Sequence, residues 1–176
     1  PNLLINGGMQ VWQRGATFSG LTAYAYTADR WGINPGSGTT VSISQVAIAL
    51  GAGTSGEAEG TRWSAMQIQR TVTGSGSLFL DQSIEDVRSA AGQTVTISFD
   101  IYTAVATTNS FGWAVYQGFG TGGSPSSGVT SATTRFSTAA ATWERKSITF
   151  AVPSISGKTL GTNKKSVGDF MLEKPA

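Results

Sequence analysis

The chain has 176 residues and contains neither cysteine nor histidine. Without cysteine there is no disulfide, no thiolate metal site and no cysteine nucleophile. Without histidine the commonest general base is missing, and with it the Ser-His-Asp triad and most zinc sites. Charge is also sparse: Asp, Glu, Lys and Arg make up 12% of the residues, for a net charge of +2. Arg145-Lys146 and Lys164-Lys165 are the adjacent basic pairs, and there is no basic stripe able to neutralise many phosphates. A nucleic-acid partner is therefore not expected. No apolar run reaches membrane-spanning length and no signal peptide is visible, so membrane insertion is not expected either. The chain opens at Pro1 without an initiator methionine, which suggests a processed product or an excised fragment.

What is abundant is glycine, at 23 residues, together with serine and threonine. Low charge with many such residues suits short strands joined by turns more than helices. Five Trp, eight Phe and four Tyr supply large surfaces to bury, which argues against disorder. The length suits one domain spanning residues 1–176, large enough to hold a core without disulfides or metals.

The pattern along the chain is one of alternation. Val95, Ile97, Phe99 and Ile101 point one way, and Thr94, Thr96, Ser98, Asp100 and Tyr102 the other. Phe111, Trp113 and Val115 oppose Tyr116, and Ile148, Phe150 and Val152 oppose Ser147 and Thr149. Further strands are expected over 39–50, with a bulge near Gln45, and over 62–72, 78–84, 129–137 and 167–173. Gly51 to Gly60, with Glu57 and Glu59, reads as a loop, and residues 85–91 as at most one helical turn. The opening, NLLINGGMQVWQRG, reads as a strand running into a turn, and Tyr26 and Trp31 flank a polar bend as anchors. Nine or ten short strands with turn signals between them indicate an all-β sandwich or barrel.

Motifs for catalysis are weak. Gly157-Lys158-Thr159 looks like the end of a phosphate-binding loop, but the required upstream glycine is Val152, inside a strand. The loop FGTGGSPSSG at 119–128 has no following helix to offer a positive dipole. A glycosidase needs two carboxylates across a cleft, and the acidic residues are few and scattered. A structural calcium is conceivable at Asp29, or at Asp169 with Glu173, although an arginine partner or a turn cap explains Asp29 and Asp169 equally simply. The aromatics out of phase with the core carry the binding hypothesis, because sugar rings stack on Trp and Tyr while their hydroxyls pair with polar groups. These are Tyr102 and Tyr116, with Tyr24 in a loop and Trp113 ambiguous. For each of the four, packing or an oligomer contact competes with ligand stacking.

Five stretches in order carry a resemblance: NLLINGGMQVWQRG (2–15), YTADRWGI (26–33), QSIEDVRSAAGQTVTISFDI (82–101), FGTGGSPSS (119–127) with TWERKSITFAVPS (142–154), and GDFMLEK (168–174). Together they resemble a β-sandwich module of bacteriophage tail fibres and other virion proteins. The resemblance implies a jelly-roll sandwich of two antiparallel sheets, like that of carbohydrate-binding modules. It also implies a place on a phage fibre, spike or capsid surface, attachment to bacterial surface polysaccharide or lipopolysaccharide, other virion proteins as partners, and homotrimers. Trp12, Arg14, Asp29, Arg30, Trp31, Glu85 and Trp143 match the shared motifs and are expected to define the fold. Tyr24, Tyr102, Trp113 and Tyr116 are left to set specificity. The alternative is a structural capsid decoration or spike protein whose sandwich makes oligomer and lattice contacts. The resembling modules often continue past the segment that here ends at Lys174-Pro175-Ala176.

Overall fold

The computed structural model describes residues 2–48, 64–162 and 165–172, the last of these as backbone. The loop expected over 51–60 with Glu57 and Glu59 lies outside the described residues, as do Pro1, Lys164 and Glu173. Among the described residues there is no helix, and twelve strands form. They are β1 (Thr17–Leu21), β2 (Ala25–Tyr26), β3 (Gly32–Asn34), β4 (Thr40–Ala47), β5 (Ser64–Val72), β6 (Leu78–Glu85), β7 (Thr94–Tyr102), β8 (Thr107–Gly118), β9 (Val129–Thr130), β10 (Thr134–Thr138), β11 (Trp143–Ala151) and β12 (Lys165–Leu172).

The strands make a β-sandwich. A large antiparallel sheet runs β10-β8-β12-β6-β3-β2, with β9 beside β8. Against it lie a three-stranded sheet, β1-β4-β5, and a two-stranded sheet, β11-β7. Both small sheets cover the same side of the large one. Val41 and Ile43 of β4 pack on Ile33 and Leu78, while Ile148 of β11 packs on Phe111 and Trp113, and Leu80 of β6 joins both clusters. Leu78 and Leu80 sit two residues apart and so share a face, which fixes the side on which each small sheet must lie.

Alternation holds best where one face is wet. In β7 the residues Val95, Ile97, Phe99 and Ile101 turn to the core, and Thr94, Thr96, Ser98 and Tyr102 between and beside them stay open while Asp100 is half-buried under its ion pair. In β11 the inward phase ends in charge, with Glu144 and Lys146 paired at 2.7 Å. Charged residues on the inward phase blunt a strand against edge-to-edge pairing.

The opening stretch departs from the expected strand. Asn6 and Met9 hold φ values of 53° and 51°, in the left-handed region that a strand does not visit. The Asn6 side chain organises the loop instead. Its Oδ1 accepts the Gln10 and Val11 amides at 3.0 and 3.1 Å, and its Nδ2 donates to the carbonyls of Val11 and Asp29. Local side-chain bonds of this kind compete with a ladder. The segment then ties the two layers together. Gln82 of the large sheet binds both backbone groups of Ile5, at 2.7 and 2.8 Å, while Ser64 and Gln45 of the small sheet donate to Met9.

Other expectations shift. The β4 irregularity falls between Thr40 and Val41 rather than near Gln45, because Gln45 keeps regular pairing with Met66 and reaches back to the opening loop. Residues 86–92 form turns, since Asp86 takes a positive φ of 69° and binds Arg88 through its side chain. The strand expected over 129–137 divides into β9 and β10, with the Ser131 hydroxyl replacing a ladder partner by accepting the Val115 amide.

Candidate functional site

The outward face of the large sheet gathers polar and aromatic groups around small residues. On β6 the inward phase is Leu78, Leu80 and Gln82, so Asp81 and Ser83 take the outward phase. On β8 Phe111, Trp113 and Val115 point inward and Tyr116 outward. Register then sets one row as Tyr26, Gly32, Asp81, Asp169 and Ala114, and the next as Ser83, Val167, Tyr116 and Thr130.

Two tyrosines lie flat across this face, each over a glycine of a neighbouring strand or loop. A Cβ at Gly32 would overlap the Tyr24 phenol, and a Cβ at Gly128 would overlap that of Tyr116. The missing side chain lets each ring lie down on the backbone. Tyr24 and Tyr116 nonetheless remain 46% and 37% exposed. The exposed part of Tyr24 is its ring, because its hydroxyl turns in to donate to Asp81 Oδ2 at 3.1 Å. Burial of that hydroxyl pushes its pKa up, and the neighbouring Tyr26 phenol and the negative charge of Asp81 push the same way. Tyr26 meets Tyr24 edge to face at 5.3 Å and carries the Arg14 guanidinium 5.5 Å above its own ring. Arg30 spans to the Ser83 carbonyl at 3.5 Å and to Glu85 at 3.6 Å. Asp81 and Tyr116 sit two strands and one outward row apart, about 12 Å between backbones. Asp81 is itself buried, at 7% exposure, and serves to hold Tyr24, so what the face offers a sugar is the two exposed rings to stack on and the Arg30 and Arg14 guanidinium groups to pair with hydroxyls.

The four aromatics named from sequence are thus divided. Tyr24 and Tyr116 share the outward face of the large sheet, Tyr24 over β3 and Tyr116 over the β8–β9 edge, with β6 and β12 between them. Tyr102, 49% exposed, stands on the opposite face of the sandwich, on β7. Trp113 is a correction: it is 5% exposed and packs with Phe111 and Ile148, so its ring faces the other layer and offers no surface to a ligand. Phe119, placed in a loop, is likewise 1% exposed and belongs to the interior. Tyr26 does not anchor its bend to the core, being 46% exposed, whereas Trp31 does at 4%. Sequence reasoning missed Tyr26 as a surface aromatic and Trp143 as the neighbour of Tyr102. The signal for Trp143 was its odd offset from Ile148, which puts it on the outward face of β11.

Of the seven motif residues expected to define the fold, Trp12, Arg14, Asp29 and Trp31 make contacts that hold the opening segment, whereas Arg30, Glu85 and Trp143 lie on outward faces. Trp31 Nε1 donates to the Asn6 carbonyl at 3.0 Å, and Trp12 Nε1 to that of Met9 at 2.7 Å. Asp29 accepts the Gln13 amide at 3.1 Å and lies 3.8 Å from Arg14, so it caps the turn and pairs with an arginine. Those contacts occupy Asp29, and among the described residues no three acidic groups converge as a metal site. Asp169 takes the β12 position between Asp81 and Ala114, and Glu173 lies outside the described residues. Searched against family models, curated proteins and solved structures, the chain matches none.

Proposed function

We propose that this chain is a non-enzymatic adhesion module of a phage virion, a carbohydrate-binding-module-like jelly roll that binds bacterial surface polysaccharide or lipopolysaccharide. The observation that carries the reading is the pair Tyr24 and Tyr116, laid flat on one sheet face with Asp81, Arg30 and Ser83 between and beside them. The five-stretch resemblance supports the virion setting, on a fibre, spike or capsid surface, as a homotrimer among other virion proteins. The test is titration of the purified chain with envelope polysaccharide from candidate hosts. Saturable binding that weakens at least about tenfold in a folded Tyr24→Ala/Tyr116→Ala variant is the expected result, about 1.4 kcal/mol in affinity. Binding to no envelope glycan, or equal binding by the variant, would overturn it.

A second reading, a structural decoration or spike protein, is favoured by the opening segment. Leu3, Ile5 and Val11 are 37%, 54% and 46% exposed there, close together in sequence. Apolar side chains held out on an ordered segment suit a contact with another virion subunit. A stable oligomer that dissociates on Ile5→Asp/Val11→Asp, with no glycan binding, is the outcome that would favour it.

A further inference from the structure

The face of the sandwich opposite the tyrosine pair carries a second built surface, the outward side of the β7–β11 sheet. At one end Tyr102 and Trp143 are direct cross-strand partners, with ring centroids 5.6 Å apart and planes tilted by 50°. The next outward row is Asp100 and Arg145, joined at 3.0 Å, and Arg145 also donates to the Ser98 hydroxyl at 2.9 Å. Beyond the Ser98–Ser147 row, the hydroxyls of Thr96 and Thr149 bind one another at 2.8 Å. From Ser98 and Ser147 to the far end of the sheet no outward side chain is larger than threonine, and all of them are exposed.

We infer that this strip is a second glycan track, which holds a linear, uncharged polysaccharide along the strands with one sugar stacked at Tyr102 and Trp143. Three features select that occupant. Asp100 and Arg145 neutralise each other, so the strip has no net charge to offer a charged polymer. The surface is two strands wide and nine residues long, about 10 Å by about 30 Å or on the order of 300 Å², far below the roughly 800 Å² per partner of a stable protein interface. Its only large apolar groups sit at one end, followed by the Asp100–Arg145 pair and then by Ser and Thr hydroxyls with Ala151, a distribution that matches a sugar chain with C–H faces and equatorial hydroxyls. The inference rests on the glycan-binding reading and adds to it that one domain engages glycan on two opposite faces.

The test uses chitohexaose and cellohexaose as probes and tryptophan emission as the readout, since Trp143 borders the track while Trp31 and Trp113 are buried. Saturable quenching is expected in the wild-type chain, lost as a signal in Trp143→Phe while calorimetric binding persists. Tyr102→Ala weakens binding about tenfold. Ser147→Arg, which lays a long side chain across the exposed track without touching the core, does the same if Tyr102→Ala is poorly folded. Tyr24→Ala/Tyr116→Ala leaves this signal unchanged. Wild-type affinity in both Tyr102→Ala and Ser147→Arg, or loss of all binding in Tyr24→Ala/Tyr116→Ala, overturns the second track and leaves the large-sheet site standing. No quenching by either probe also overturns the track. Absence of any binding, by these probes and by envelope polysaccharide, overturns both readings.

Discussion

Replacing Gln82 with methionine tests how the opening segment is held. Gln82 is 1% exposed and clamps Ile5 by donating to its carbonyl at 2.8 Å and accepting its amide at 2.7 Å. Each such bond contributes about 0.5–1.5 kcal/mol net. Methionine fills nearly the same space and adds apolar burial, which offsets part of the loss. Ile5 itself is 54% exposed, so water can reach its released backbone groups and the full penalty of an unsatisfied pair does not apply. The expected cost is about 1–2 kcal/mol, which for a chain of this size lowers Tm by about 2–8 °C. The local signature is sharper. Hydrogen exchange at the Ile5 amide should accelerate to the rate of an exposed loop, while the Trp113 and Ile148 amides keep their protection. A Tm within about 1 °C of wild type together with an Ile5 amide that stays protected would refute the clamp.

Three further outcomes are expected. Gly32→Ala places a methyl group against the Tyr24 phenol, so it should displace the ring from Asp81; its cost should vanish in a Tyr24→Ala background, and an equal cost in both backgrounds, measured by thermal unfolding, would show that the ring is not the obstacle. Gly74→Ala drives a Cβ into the backbone of Ser37 and Gly38, which cannot rotate away, and should cost about 2 kcal/mol or more in denaturant unfolding, whereas Gly7→Ala, with open space around it, should be near neutral. Because the folded pKa of Tyr24 is raised, its stabilising contribution is complete below the ordinary tyrosine value, about pH 10, and is lost as pH rises further, when the unfolded chain ionises first. Alkaline unfolding followed by circular dichroism should therefore begin at higher pH in Tyr24→Phe, and an unchanged midpoint would remove Tyr24 as a cause.

The faces of the strands were legible from residue order alone. A period of two is a property of the extended backbone, so Val95, Ile97, Phe99 and Ile101 had to share a side, and Tyr102 and Tyr116 had to oppose the apolar phase. The same rule settled Trp113 once read strictly, because it shares its phase with Phe111 and Val115 and only its size suggested a ligand role. Twenty-three glycines also announced the turns, but not their use. The turns at Gly36 and Gly76 touch backbone to backbone, and Gly32 and Gly128 serve as beds for tyrosine rings, contacts made by residues 40, 8 and 12 positions apart. Likewise the phase of Leu78 and Leu80 pointed Gln82 inward, yet its partner Ile5 lies 77 residues away. Only the tertiary structure decided that Tyr24 and Tyr116 share a face while Tyr102 stands on the other. Local alternation says which side of its own strand a residue occupies, and the order in which strands join a sheet says which strands lie side by side.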